Sequence, residues 1–127
     1  MVLPALQRGG YLTQTQVLIG QRWGGGRHLI DVLAQDKDGG KLLVSVKWQQ
    51  VSGTAEQKVP FEAICLAEAV RQSEGAYSRS YLVLGGNGWK LRDFYVSGGL
   101  DQHLNHGATV KVLTLEDFVA KANRGLL

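Results

Sequence analysis

Hydrophobic and polar positions alternate with different periods along this chain, and these patterns predict its strands. Apolar runs at about 28–35 and 41–50 flank a polar, glycine-containing turn, a pattern that predicts two strands joined as a hairpin. A short uninterrupted apolar run at 81–84 predicts a buried strand, and residues 109–113 predict another. The chain therefore contains the strands of a sheet.

The segments around these strands predict helices. Apolar residues lie at helical spacing on one face of the segment 54–74, namely Val59, Ala63, Leu66, Ala67 and Val70. Thr54 and Gln57 have the spacing of a capping box at its start. Further helices are predicted near 11–21, where Thr and Gln dominate, at 90–104 and at 115–122. The order α-β-β-α-β-α-β-α describes an α/β fold with a mixed central sheet flanked by helices.

Composition and charge narrow the class of protein. The length of 127 residues predicts a single domain, 1–127, with one core. A net charge of +3 weakly favours a polyanionic binding partner. One cysteine, Cys65, excludes an internal disulfide and the multi-cysteine zinc patterns. The first residues do not resemble a signal peptide and no apolar run approaches a membrane span, so we expect a cytoplasmic protein that does not enter the membrane.

Charged and amide side chains interrupt the two hairpin strands. Asp31 lies in the first apolar run, and the second carries Ser45, Lys47 and Gln49. Alternate residues of a strand point to opposite faces, so these three share one face. Val46 and Trp48 share the other face, and Trp48 is predicted to lie in the core, whereas Trp23 and Trp89 adjoin glycines and are candidates for exposure.

If the two runs pair, Asp31 and Lys47 can meet on one side of the sheet. A carboxylate and an ammonium there suit a divalent metal and an activated water. The alternative is a purely structural ion pair between them, because a charged residue in an apolar strand is costly unless it is paired.

These residues and the element order resemble the PD-(D/E)XK nuclease superfamily, whose restriction-endonuclease-like core is an αβββαβ sandwich. The pattern of that family is an aspartate on one strand and acid-x-Lys on the next. Asp31 matches the aspartate, Lys47 the lysine, and Gln49 a glutamine found in some members. Two departures stand out: Ile30 replaces the proline that normally precedes the aspartate, and Ser45 stands where the second acid should be.

The resemblance implies that another acid replaces Ser45. Some restriction endonucleases of the superfamily carry Ser-Val-Lys at this place and take the second carboxylate from the following helix. Glu62, fifteen residues after Lys47, fits that spacing better, and Glu56, nine residues after Lys47, is the alternative. Each also has a structural explanation: Glu56 as a charge near a helix start and Glu62 as part of a solvated helix face.

The resemblance further implies a metal-dependent endonuclease that hydrolyses DNA phosphodiester bonds with Mg²⁺, which Mn²⁺ can replace. Asp31, a backbone carbonyl near Val46 and the helix carboxylate would hold the metal. Lys47 would orient or deprotonate the attacking water, and Gln49 would position water or phosphate. RNA is a further candidate substrate.

Basic residues and the small size complete the expectations. Contacts to nucleic acid are expected from Arg27, His28, Lys58, Arg79, Lys90 and Arg92. Compact members of the superfamily act as oligomers, so a homodimer or homotetramer is expected. The competing interpretation is a nuclease fold with a decayed site that acts as a nucleic-acid-binding or assembly subunit, for which Ser45 is the main argument.

Overall fold

The computed structural model describes residues 1–51, 53, 55–104 and 109–127. In chain order the elements are α1 (Val2–Arg8), β1 (Leu12–Gln21), β2 (Arg27–Gln35), β3 (Lys41–Trp48), α2 (Ala55–Gln72), β4 (Tyr77–Gly85), α3 (Arg92–Val96), a 3₁₀ helix (Gly99–His103), β5 (Val110–Thr114) and α4 (Leu115–Asn123). Thr54, one half of the predicted capping box, lies outside the described residues.

The five strands form one sheet in the order β1-β2-β3-β4-β5. The first three strands are antiparallel, and β3, β4 and β5 are parallel. Strand β4 is buried from Ser80 to Gly85, as its uninterrupted apolar sequence requires of a strand covered on both faces. The predicted α/β class with a mixed sheet flanked by helices is confirmed.

Two apolar cores lie on opposite faces of the sheet. Helices α1 and α4 cover one face, where Phe118 packs against Tyr81 edge to face, with ring centroids 5.8 Å apart. Helix α2 covers the other face through the apolar stripe that the sequence predicts, Val59, Ala63, Leu66, Ala67 and Val70. Tyr95 of α3 and Leu100 of the 3₁₀ helix join this second core.

The prediction of a helix near 11–21 is wrong, because these residues form strand β1. Thr13, Val17 and Ile19 are half-buried between exposed neighbours. β-Branched residues at a spacing of two fit a half-buried strand better than a helix. With β1 in place, the first six elements run α-β-β-β-α-β, which is the αβββαβ order of the resembled core.

Two tryptophans differ from expectation. Trp48 is 55% exposed, because β3 ends at this residue. Its ring lies over Gly85, and a Cβ added to Gly85 would come within 2.2 Å of the ring. Trp89 is buried, and its Nε1 donates to the carbonyl of Gly85 at 2.8 Å. Trp23 is exposed at the turn between β1 and β2.

Candidate active site

Asp31 lies where β2 and β3 separate. Backbone pairing between these strands ends at Val32 and Val44. Beyond that point the Asp31 carboxylate replaces the backbone of β2 as the acceptor for β3. Its Oδ2 accepts a hydrogen bond of 2.7 Å from the amide of Val46. The opposite residue of β1, Gln16, has φ of 53°, a conformation that costs a non-glycine residue roughly 1–2 kcal/mol. The hairpin of β1 and β2 is thus distorted at the position of Asp31.

Glu62 lies inside a cluster of basic side chains. Its carboxylate is 2% exposed and accepts hydrogen bonds from His28 Nε2 at 3.0 Å and from Arg22 Nη1 at 3.0 and 3.1 Å. Lys47 Nζ lies 3.3 Å from Glu62 Oε2. The helix carboxylate with the expected spacing therefore contacts the lysine of the family motif.

Four elements build this cluster. Lys47 is near the end of β3, and α2, which carries Glu62, follows it directly. His28 is the second residue of β2 and lies opposite Gly20 of β1. Arg22 follows β1 in a tight turn, in which its amide donates to the carbonyl of Gly26 at 2.7 Å.

The electrostatic surroundings keep Glu62 ionised. Burial alone would raise the pKa of Glu62, but the hydrogen bonds from His28 and Arg22 and the charges of Lys47 and Arg22 outweigh it and lower the pKa from 4.5 to about 2. An ionised Glu62 forms an ion pair with Lys47, and a carboxylate is the type of oxygen donor that a hard cation prefers.

The structure pairs Lys47 with Glu62 rather than with Asp31. The alternative of a structural Asp31–Lys47 ion pair therefore does not describe this arrangement. Ser45 is buried at 4% exposure, one alternate position along β3 from Lys47. The negative charge that Ser45 does not supply is thus supplied beside Lys47 by Glu62.

Gln49 and Glu56 form a separate polar group that joins three chain segments. Gln49 Nε2 donates to the Gly88 carbonyl at 2.8 Å and to Glu56 at 3.3 Å, and its Oε1 accepts from the Ala55 amide at 3.0 Å. Glu56 accepts from the amides of Lys90 and Leu91 at 2.6 and 2.8 Å. These amide bonds, led by that from Lys90, lower the pKa of Glu56.

The positions of Gln49 and Glu56 differ from the sequence expectation. Both had been candidates for the reaction centre, yet their polar atoms bind the start of α2 and the segment before α3. The structure thus separates the two helix acids: Glu62 lies in the Lys47 cluster, and Glu56 anchors the chain that follows β4.

The six basic residues expected at nucleic acid fall into three groups. His28 is 2% exposed and bound to Glu62, so it lies in the interior rather than at the surface. Arg79 pairs in register with Leu42 near the start of β3, at the end of the sheet away from Lys47, and donates to the Leu127 carbonyl at 2.6 Å. The others are exposed at the end of the sheet where Lys47 lies: Arg27, Lys58, Lys90 and Arg92.

Sequence reasoning missed Arg22. No local signal marks it, because its contact with Glu62 depends on the pairing of β1 with β2, and the sequence pattern of 11–21 predicts a helix instead of β1. A strand assignment there would have placed Arg22 at the hairpin turn, near the first residues of β2.

The oxygen donors at this end of the sheet fit a hard divalent cation in type. Asp31 and Glu62 are carboxylates, and the Val46 backbone, to which Asp31 is bonded, also carries a carbonyl. Mg²⁺ is commonly held by one or two carboxylates with waters completing its shell. Within the described residues no group of three or more His, Cys, Asp or Glu side chains could hold a metal ion, so such a site would depend on these two carboxylates.

Comparison with known proteins identifies the family. The model of the PD-(D/E)XK nuclease superfamily domain matches residues 2–126. The chain therefore belongs to the PD-(D/E)XK nuclease superfamily, and the predicted resemblance is confirmed. No curated protein matches the chain.

A solved structure supports the same fold. The crystal structure of a protein of unknown function, AF1548, is similar with a TM-score of 0.55 and 15% sequence identity. The match covers 90% of this chain and 54% of AF1548, so the chain spans about half the length of that protein. In the described part of the chain, no helix has the length and apolar character needed to cross a membrane.

Proposed function

We propose that this protein is a metal-dependent nuclease that hydrolyses phosphodiester bonds in DNA. The reaction centre consists of Asp31, Glu62 and Lys47. The single observation that carries the proposal is the contact of 3.3 Å between Lys47 Nζ and the buried Glu62 carboxylate, since it supplies the acid that the family motif lacks at Ser45.

Asp31, Glu62 and the Val46 carbonyl would hold Mg²⁺, or Mn²⁺ in its place. A bound divalent cation supplies polarisation of the scissile phosphate and a lower pKa for a coordinated water. Asp31 is oriented for this by its bond to the Val46 amide. Glu62 keeps its charge at neutral pH because its pKa is about 2.

Lys47 acts on the reacting groups. Its side chain is 27% exposed and its ammonium contacts Glu62, so the ammonium can donate a hydrogen bond outward to an attacking water or a phosphate oxygen. A fixed cation there stabilises the charge that develops on the phosphate in the transition state. Glu62 prevents Lys47 from folding onto other acceptors, and thereby sets its direction.

The exposed basic residues around this end of the sheet suit a phosphate backbone. Arg27, Lys58, Lys90 and Arg92 come from three different segments and are all exposed. Such contacts position a nucleic acid without reading its sequence. Two copies of the chain would bring two reaction centres to two strands, and we infer a homodimer or homotetramer on this ground.

A second candidate function rests on the same cluster. Glu62 already accepts hydrogen bonds or ion pairs from three basic side chains, and Ser45 carries no charge. A protein with this site but without turnover would bind nucleic acid through the same basic surface.

One experiment separates the two functions. Plasmid and branched DNA are incubated with the wild-type protein and with Asp31→Ala, in Mg²⁺, in Mn²⁺ and in a chelator. The nuclease produces nicks only with metal, and Asp31→Ala binds the DNA but does not nick it. Nicking by Asp31→Ala at the wild-type rate would refute the assigned centre, and DNA binding without nicking by the wild type would establish the second function.

A further inference from the structure

The Arg22 guanidinium has a geometry towards Glu62 that the other two basic groups lack. One nitrogen, Nη1, lies 3.0 Å from Oε1 and 3.1 Å from Oε2. It therefore sits between the two oxygens of the carboxylate, in the direction from which a cation binds both. The hydrogen bond of His28 is with Oε1 alone, and the ion-pair contact of Lys47 is with Oε2.

We propose that Arg22 competes with the divalent cation for Glu62, and that binding of a nucleic-acid phosphate draws Arg22 away and allows the metal to bind. The inference rests on the proposed nuclease function. Arg22 would thus make metal binding depend on substrate.

Arg22 is the basic group best placed to leave. His28 is 2% exposed within β2, and Lys47 is held in the sheet by the pairing of β3 with β4, where it lies opposite Leu84. The side chains of Arg22 and Lys47 are similarly exposed, at 28% and 27%, but Arg22 lies in the turn after the last residue of β1, outside the sheet. A Cβ added at Gly24, Gly25 or Gly26 would meet no atom within 4 Å, so open space surrounds the turn that carries Arg22. The guanidinium can therefore reach solvent without unpacking the sheet.

Charge gives the competition its direction. With Arg22 in place, the charges of Arg22 and Lys47 balance those of Glu62 and Asp31, so no net negative charge attracts a divalent cation. With Arg22 withdrawn, the charge of Lys47 balances only one of the two carboxylates, and the remaining negative charge favours the cation. A phosphate can replace Glu62 as the acceptor for Arg22, because a guanidinium group often donates two parallel hydrogen bonds to two oxygens of one phosphate.

Two measurable consequences follow. The apparent metal affinity of the free protein equals the intrinsic affinity multiplied by the fraction of molecules in which Arg22 has left Glu62. A small fraction therefore gives a low apparent affinity. Because coupling between two ligands is reciprocal, DNA tightens metal binding and metal tightens DNA binding by the same factor.

The test measures Mn²⁺ binding from the loss of the free-ion electron paramagnetic resonance signal, without cleavage. The proteins are the wild type, Arg22→Gln and the matched control Arg124→Gln, which removes an exposed arginine beyond α4. We expect Arg22→Gln to bind Mn²⁺ roughly 10- to 100-fold more tightly than the wild type, and Arg124→Gln to bind as the wild type does. A short phosphorothioate duplex should tighten binding to the wild type but not to Arg22→Gln.

Three results would contradict the inference in different ways. Equal or weaker Mn²⁺ binding by Arg22→Gln would overturn the competition while leaving the nuclease assignment intact. An equal gain in Arg124→Gln would show only an effect of net charge and would also overturn it. Absence of Mn²⁺ binding by the wild type and Arg22→Gln, with and without the duplex, would instead overturn the proposed metal-dependent function.

Arg22→Gln leaves Glu62 with fewer partners, so its thermal unfolding is compared with the wild type before binding is measured. If it does not fold, the wild-type protein decides the question. The arginine Nε–H signals are followed by nuclear magnetic resonance as Mg²⁺ is added in the presence of the duplex. Movement of the Arg22 signal, assigned with Arg22→Lys, supports its release, and an unchanged signal at saturating metal overturns it.

Discussion

Two glutamates of α2, six residues apart, occupy opposite kinds of environment. Glu62 is surrounded by three basic side chains, Arg22, His28 and Lys47. Glu56 is held by two backbone amides, those of Lys90 and Leu91. Both carboxylates are buried, and the pKa of each is lowered.

The kind of partner determines what each carboxylate can do. Backbone amides are fixed by the fold, so the oxygens of Glu56 are committed to holding the segment between β4 and α3. Side-chain cations can rotate away, exchange with solvent or bind another anion. The partners of Glu62 can therefore be exchanged, whereas those of Glu56 cannot be exchanged without loosening the chain.

The largest expected effect is on the rate of DNA cleavage, which should distinguish Glu62 from Glu56. We expect Glu62→Gln to lower metal-dependent cleavage by at least about 100-fold, because it removes the negative charge of the proposed metal ligand and of the anchor of Lys47. The matched variant Glu56→Gln should retain cleavage within about tenfold of the wild type under conditions where both are folded. Initial nicking rates with Mg²⁺ measure both. The reverse ranking would transfer the role of the missing acid to Glu56.

Lys47 provides the next test, because it depends on Glu62 and not on Glu56. Lys47→Met should reduce turnover by roughly 10²- to 10³-fold with a much smaller change in the dissociation constant for DNA, because the proposed role of Lys47 is in the transition state. Single-turnover cleavage and a gel-shift titration separate the two quantities. Lys111→Met, at an exposed position of β5, is the control. An equal loss of binding and turnover would make Lys47 a binding residue only.

The dependence of stability on pH should follow Glu62. Its pKa is lowered from 4.5 to about 2 in the folded protein, which corresponds to roughly 3 kcal/mol of stabilisation. Because the folded pKa is the lower one, this contribution is complete above pH 4.5 and is lost as the pH falls towards 2. The free energy of unfolding in chelator, measured from pH 7 to pH 2, should therefore differ between wild type and Glu62→Gln at neutral pH and converge in acid. A constant difference would contradict the assigned pKa.

The sequence predicts Glu62 better than it predicts the partners of Glu62. Helix α2 follows β3 after a short connection, so the spacing from Lys47 carries structural information and the two side chains meet. His28 and Arg22 reach the site from a hairpin, and their positions depend on strand register. The helix assigned to 11–21 concealed that hairpin, although the β-branched residues at alternate positions favour a strand.

The role of Glu56 could not be predicted from its neighbours in the sequence. Its amide partners belong to a segment 34 and 35 residues further along the chain. Gln49 likewise bonds to Gly88, 39 residues away. Both contacts arise because parallel strands β3 and β4 end at the same edge of the sheet, which brings the segments that follow them together.

The smallest expected effect completes the comparison of the two glutamates. Glu56→Gln replaces an ionised acceptor of two amides with an amide group that has one acceptor oxygen, so at least one amide of Lys90 or Leu91 loses its partner. We expect a lower melting temperature and faster hydrogen exchange confined to residues near 88–92. Lys58→Gln, a change at an exposed position two residues further along α2, serves as the control and should leave both quantities unchanged. If Glu56→Gln exchanged no faster than the control, the backbone contacts of Glu56 would contribute nothing to order in this segment. The two glutamates would then differ only in the basic side chains that surround Glu62.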